Sequence, residues 1–209
     1  MDMPLAIFSL IGTAVFAASG ALAADRERFD IVGAVFLAVA AGLGGGTLVD
    51  LLIGQAPVRW VSDPAPLWVA AGAGIVVFLA IRVMRPPLRL LDWADAAGLA
   101  VFTATGMERL TQLDISPGIA SPGIAAVLTV IGACGGGIIR DTMANRAPLL
   151  FSGELYVTAV LLGSGAFLLA DALAPMAQAG VVAALVTTAF VRGAGLVFGL
   201  RLIHGRGAV

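Results

Sequence analysis

The chain contains no lysine. Its 12 basic residues are all arginine, and 13 acidic residues bring the net charge to −1. That balance recruits no polyanion, so nucleic acid is excluded as a partner. A single cysteine, Cys134, leaves no internal disulfide. A single histidine, His204, leaves neither a His/Cys metal cluster nor a histidine-based triad within the chain. No cofactor is expected. Charge of either sign is scarce, at 12% of 209 residues, against about 25% in a soluble domain. A disordered chain and an ordinary soluble enzyme are both excluded.

Apolar residues and glycine fill the space. Hydrophobic residues make up 60% of the chain, mean hydropathy is +1.03, and 27 residues are glycine. Such a chain has too little polar surface to cover itself in water. It reads as an all-α, polytopic membrane protein. The apolar run from Met3 to Ala24 passes through Ala21-Leu22-Ala23, small residues of the kind found at signal-peptide cleavage sites. However, the start carries Asp2 and no positive charge, which is wrong for a secretory leader. The run therefore reads as a first membrane span.

A crossing helix needs about 20 apolar residues. Seven candidates meet that need: Pro4–Ala24, Asp30–Ile53, Pro66–Met84, Trp93–Leu110, Pro117–Met143, Gly153–Asp171 and Ala179–Ile203. The connections are short, so residues 1–209 form one domain. Arg26, Arg28, Arg82, Arg85, Arg89, Arg146, Arg201 and Arg206 fall on one side, and Arg59 and Arg109 on the other. The positive-inside rule then puts the N-terminus out and the C-terminus in the cytoplasm. Trp60, Trp68 and Trp93 lie near span ends, where tryptophan anchors at the interface.

The chain also repeats itself. Gly44-Gly45-Gly46-Thr47-Leu48-Val49-Asp50 matches Gly135-Gly136-Gly137-Ile138-Ile139-Arg140-Asp141 at a constant offset of 91. Downstream, Gly54-Gln55-Ala56-Pro57 matches Asn145-Arg146-Ala147-Pro148. Upstream, Ser19-Gly20 matches Thr105-Gly106 at an offset of 86. The tandem Ser116–Ala120 and Ser121–Ala125 accounts for the five-residue difference. Repeat one is 1–90, repeat two 91–172, and the seventh helix 173–209. Each repeat holds three spans, an odd number, so the copies cross in opposite senses. That is an inverted-topology repeat, an architecture common in transporters.

Each triple glycine falls about fifteen residues into its span, or about 22 Å from the entrance at 1.5 Å per residue. Three glycines in a row predict a break or kink, since each costs up to about 1 kcal/mol against alanine. An opened backbone is tolerated only against protein or a water-filled cavity. Its carbonyls would coordinate a cation, and Thr47 with Asp50 would cap the restarted half-helix. The alternative is close helix packing. The in-register duplication favours a pathway element, made of Gly44, Gly45, Gly46, Asp50, Gly135, Gly136, Gly137, Arg140 and Asp141.

Asp50 and Asp141 are equivalent, and ionisable residues inside spans are usually functional. Capping is the other role open to them. Arg140 has no counterpart, because Val49 stands in its place. It can gate, pair with a carboxylate or snorkel to the surface. Ser19, Thr103, Thr105 and Arg109 are candidates for lining a polar path, with a surface Glu108–Arg109 pair as the plainer reading. Arg192, in the seventh span beside Gly195 and Gly199, needs a polar neighbour, for which a subunit contact is one source. Cys134 reads as a small packing residue and His204 as an interfacial one.

At these residues the chain resembles the prokaryotic trimeric intracellular cation channel proteins, a TRIC-type grouping that overlaps an inner-membrane family described as a glycine transporter domain. The resemblance rests on the two Gly-Gly-Gly-x-x-x-Asp runs, the Ala-Pro after each, Gly20, Gly106 and the segment Glu154–Ala159. It implies a homotrimer of seven-helix protomers in the bacterial inner membrane. Each protomer would hold its own pore, lined by helices one, two, four and five and kinked at the glycines. It also implies potassium and other monovalent cations as the permeant species, and phospholipid bound beside the subunits. Arg109 is the nearest match to a basic residue common near the end of helix four. Val49 departs from the arginine usual before the first aspartate, which weakens any paired-arginine gate. The expected function is a potassium channel and not an enzyme. The alternative is a secondary transporter of a small amino acid such as glycine, which inverted repeats suit equally.

Overall fold

The computed structural model describes residues 3–84, 86–87, 89–113, 121–173 and 178–202. Arg85, His204, Arg206 and the first copy of the tandem, up to Ala120, lie outside them. Among the described residues the fold is all-helical. Its only β feature is an isolated bridge between Glu154 and Arg201. The helices are α1 (Met3–Arg26), α2 (Ile31–Leu52), a single turn α3 (Arg59–Ser62), α4 (Ala65–Val83), α5 (Leu90–Thr111), α6 (Pro122–Met143), α7 (Val157–Leu173) and α8 (Ala179–Phe198). A 3-10 turn, Leu149–Phe151, precedes α7.

Five of these helices are long and apolar enough to cross a membrane: α1, α2, α4, α6 and α8. The others differ for plain reasons. Helix α7 is apolar but has 17 residues. Helix α5 carries Asp92, Asp95, Glu108 and Arg109. The chain is a multi-pass membrane protein, and its surface has the matching polarity. Val32, Phe36, Val83 and Phe190 stand exposed, while Asp95, Arg140 and Arg192 are fully buried. Apolar side chains face outward and charge is held inside, as a lipid solvent demands.

Local chemistry sets the helix ends. Asp30 caps α2 by accepting a 2.8 Å hydrogen bond from the Gly33 amide. Just beyond α2 and α6, Gly54 (φ 72°) and Asn145 (φ 51°) adopt the left-handed conformation. Glycine and asparagine are the residues that tolerate it at a helix end. Equivalent backbone bonds close both turns, from Gln55 N to Asp50 O and from Arg146 N to Asp141 O, each 2.8 Å.

Helices α1, α2 and α4 pack on one another, as do α5, α6 and α7. The two groups meet through α2 on α6 and α1 on α5, and α8 lies across α5 and α7. Of the expected break or kink, the break is absent, because α2 and α6 run unbroken through their triple glycines. Their carbonyls stay within the helical hydrogen bonding and are not freed to coordinate a cation. Thr47 caps nothing. Its hydroxyl donates to Leu43 O at 2.8 Å, one turn back, inside a continuous helix.

Candidate functional site: a cavity between four helices and two buried charge clusters

Two adjacent cavities lie between α1, α2, α5 and α6. The larger, about 340 Å³, is walled by Ser9 and Thr13 of α1, Gly46 and Asp50 of α2, and Arg59 and Trp60 of α3. The smaller, about 40 Å³, is walled by Thr105 and Arg109 of α5 and Thr129 and Gly132 of α6. Ser9, Gly46, Arg59 and Phe102 border both.

Asp50 lines the larger cavity and faces two guanidinium groups. Arg109 Nη2 donates to Asp50 Oδ1 at 2.7 Å and to Gln55 Oε1 at 2.6 Å. Arg59 donates to the same carboxylate from its backbone nitrogen at 3.0 Å and from Nε at 3.2 Å. Asp63 also lines the larger cavity, so two carboxylates stand with the two arginines. Arg109 thus turns into the cavity. Glu108 accepts from Gln112. Trp60 Nε1 donates to Thr47 Oγ1 at 3.0 Å, which fixes the α3 turn over α2. Its role goes beyond anchoring.

The second cluster is at the other end of α5 and α6. Arg140 has no exposed surface and does not snorkel. It reaches three partners at 2.8 Å: Asp141 Oδ1 through Nε, and Ser19 Oγ and Asp95 Oδ1 through Nη1. Tyr156 also donates to Asp95, at 3.2 Å. Arg192 of α8 pairs with Glu154 at 2.7 Å, lies 4.9 Å above the Tyr156 ring and comes within 4.0 Å of Asp95. The polar neighbours of Arg192 are therefore in its own chain. Asp141 also accepts from the Leu149 amide at 3.2 Å, as Asp50 does from Arg59. Both aspartates cap the turn that follows the proline. Such a network is costly to bury, and breaking one partner costs more than removing all.

Between the clusters runs a seam of bare backbone. A Cβ on Gly45 would meet Gly132 O at 1.9 Å, and one on Gly136 would meet Ala41 O at 2.2 Å. Beside them, one on Gly44 would meet Ile139 Cδ1 at 2.5 Å, and one on Gly135 would meet Leu48 Cδ1 at 3.1 Å. Each contact is the counterpart of another at the offset of 91. No side chain fits at Gly45 or Gly136, while Ile139 and Leu48 fill the gaps at Gly44 and Gly135.

The expected residues therefore separate into groups. Gly46, Asp50, Thr105 and Arg109 border the cavities. Gly44, Gly45, Gly135 and Gly136 form the seam, and Gly137 lies against Tyr156 and Asp95. Arg140, Asp141 and Ser19 belong to the buried cluster. Thr103 is fully buried, and its methyl points to where α7 and α8 meet, beside Gly163 and Thr188. Cys134 is buried in a core cluster with Phe16 and Val160. Asp95 and Tyr156 were not foreseen. A carboxylate three residues into the fourth span was the available signal for Asp95.

The halves that hold these clusters match one family model in succession. That model, described as Glycine transporter, matches residues 6–82 and again 92–172. The chain belongs to the glycine transporter family. Relatives within reach of this family include a UPF0126 membrane protein of Vibrio cholerae, 41% identical over 76% of this chain and 65% of its own length. The Escherichia coli inner membrane protein YadS is 40% identical over 74% of this chain and 72% of its own. Solved structures extend the likeness to TRIC-type channels. A TRIC trimeric intracellular cation channel orthologue from Rhodobacter sphaeroides has a TM-score of 0.88 at 36% identity, covering 95% of this chain and 100% of that one. A second TRIC cation channel has a TM-score of 0.83 at 27% identity, with both chains fully covered. The glycine transporter family chain described here is thus of the TRIC type, as the two glycine runs led one to expect.

Proposed function

We propose that the protein is a cation channel in which each protomer of a homotrimer carries its own path for potassium and other monovalent cations. The observation that carries this reading is the cavity between α1, α2, α5 and α6, in a chain that follows TRIC cation channels along almost its whole length. Cations would enter the larger cavity and meet Asp50 between Arg59 and Arg109. The bonds that tie both arginines to Asp50 make that throat a closed point. Releasing either arginine from Asp50 would turn it into a site that favours cations. No ring of backbone carbonyls lines the described cavities, so selectivity among monovalent cations should be modest.

The same reading gives seven crossings, with residues 1–209 as one domain. The reciprocal contacts along the glycine seam and the twofold family match support two inverted repeats, 1–90 and 91–172, followed by a seventh helix. Gating would move α2 against α6 at Gly44–Gly46 and Gly135–Gly137, where the two helices touch through bare backbone at Gly45 and Gly136. Arginine placement supports an external N-terminus and a cytoplasmic C-terminus in the bacterial inner membrane. Phospholipid would fill the spaces beside the subunits. No nucleophile–base pair is foreseen, and the protein is read as a non-enzyme. The family description favours a second reading, a carrier of glycine working by alternating access.

Purified protein in a planar bilayer under a KCl gradient tests the proposal. Discrete current steps reversing toward the potassium equilibrium potential are expected. A silent bilayer with folded, trimeric protein, together with saturable glycine uptake in vesicles, would replace the channel with the carrier.

A further inference from the structure

The cavities do not continue into the second charge cluster. Along α1 the side chains change character turn by turn. Ser9 and Thr13 face the larger cavity, Phe16 follows, and Ser19 bonds Arg140. Along α5 the order is the same: Arg109 and Thr105 at the cavities, then Phe102, then Asp95 in the buried cluster. Helix α6 runs from Thr129 through Ala133, packed with Phe16, to Arg140. Three helices thus present polar, apolar and polar levels in register.

At the apolar level the Phe16 and Phe102 rings lie 5.3 Å apart, tilted by 47°. Phe102 borders both cavities, and Phe16 is fully buried. Gly98 leaves space for the Phe16 ring, since a Cβ there would lie 2.6 Å from Phe16 Cδ2. Beyond the rings, Asp95 Oδ2, Arg140 Nη2 and the Nε and Nη2 of Arg192 have no protein hydrogen-bond partner. Buried groups of this kind are the ones that water satisfies. Both sides of the ring pair therefore suit water, while the level between them repels it. Apolar constrictions between hydrated segments close by dewetting.

We propose that Phe16 and Phe102 form an apolar gate in series with the Asp50 throat, separating the outer cavity from the buried charge cluster around Arg140. This rests on the channel reading above. Polarity, rather than ring size, should then control closure. Phe102→Leu keeps the level apolar and holds the gate shut. Phe102→Gln has similar bulk but offers polar atoms to water.

The test is single-channel recording of wild type, Phe102→Leu and Phe102→Gln in planar bilayers of one lipid composition in symmetrical KCl. The time-averaged current should rise on the order of tenfold for the glutamine variant, because a polar group kept dry there disfavours the closed state. The rise for the leucine variant should be several-fold smaller than for the glutamine variant. If Phe102→Gln does not assemble, Phe102→Tyr, which adds one hydroxyl, is expected to shift the current in the same direction. Wild-type steps with indistinguishable leucine and glutamine or tyrosine variants would overturn the gate and leave the channel standing. Silence from wild type and all folded variants would overturn both.

Discussion

Replacing Gly45 with alanine would place a methyl carbon 1.9 Å from the carbonyl oxygen of Gly132. Ordinary contact begins at 3.4 Å, so α2 and α6 would have to part by about 1.5 Å at that level. The obstacle is backbone and has no rotamer to yield. Overpacking of this kind costs about 1–3 kcal/mol. Alanine's better helix propensity offsets up to about 1 kcal/mol of that. With the full offset the net loss is about 0–2 kcal/mol, and against a glycine replaced by alanine in open space it is about 1–3 kcal/mol. Gly72→Ala is the reference, because a Cβ there meets nothing within 4 Å. It should be neutral or stabilising by up to about 1 kcal/mol. Unfolding of both variants by sodium dodecyl sulfate in mixed micelles, followed by circular dichroism, compares them directly. If Gly45→Ala unfolds at the same detergent fraction as Gly72→Ala, or later, the close-contact reasoning is refuted.

Arg140→Met strands Asp95 and Asp141 in the interior and should cost about 3–5 kcal/mol in the same assay. Adding Asp95→Asn should recover part of that loss, and an undiminished loss in the double variant would dissolve the pairing. Trp60→Phe removes the hydrogen bond to Thr47 and should cost about 0.5–1.5 kcal/mol. Unfolding at the wild-type detergent fraction would show that this bond contributes nothing. Asp50→Asn leaves Arg59 and Arg109 without their carboxylate, so the reversal potential under a KCl gradient should move toward zero or reverse in sign. An unaltered reversal potential would reduce Asp50 to a capping group for the α3 turn.

Much of the helical layout was legible because its signals are local. Apolar runs of about 20 residues end at glycine, proline or charge, and Gly54 and Asn145 mark equivalent helix ends. The course of the triple glycines was not legible. Their weak helix propensity predicts a break, but the tight backbone contact of α2 with α6 outweighs it. Nor could spacing disclose the partners of Arg140. Ser19 and Asp95 are 121 and 45 residues away, on other helices. Glu154 as the partner of Arg192 was hidden for the same reason, at a separation of 38 residues. Asp50 and Asp141 were singled out correctly as charged residues of the spans, but each caps the turn that follows its helix rather than a half-helix within it.

The glycine seam ties the two halves of the chain to each other. Ile139 occupies the space that Gly44 leaves, and Leu48 the space that Gly135 leaves. At Gly45 and Gly136 the opposing atom is a backbone oxygen, so neither position can take a larger residue without moving the facing helix. The two matching halves are then not free to change independently along this line. Gly44→Ala is more readily absorbed, because it meets the Cδ1 end of Ile139, which can turn aside. Divergence is cheap on the lipid-facing sides of α2 and α6, and along the seam it must proceed by matched steps in both halves.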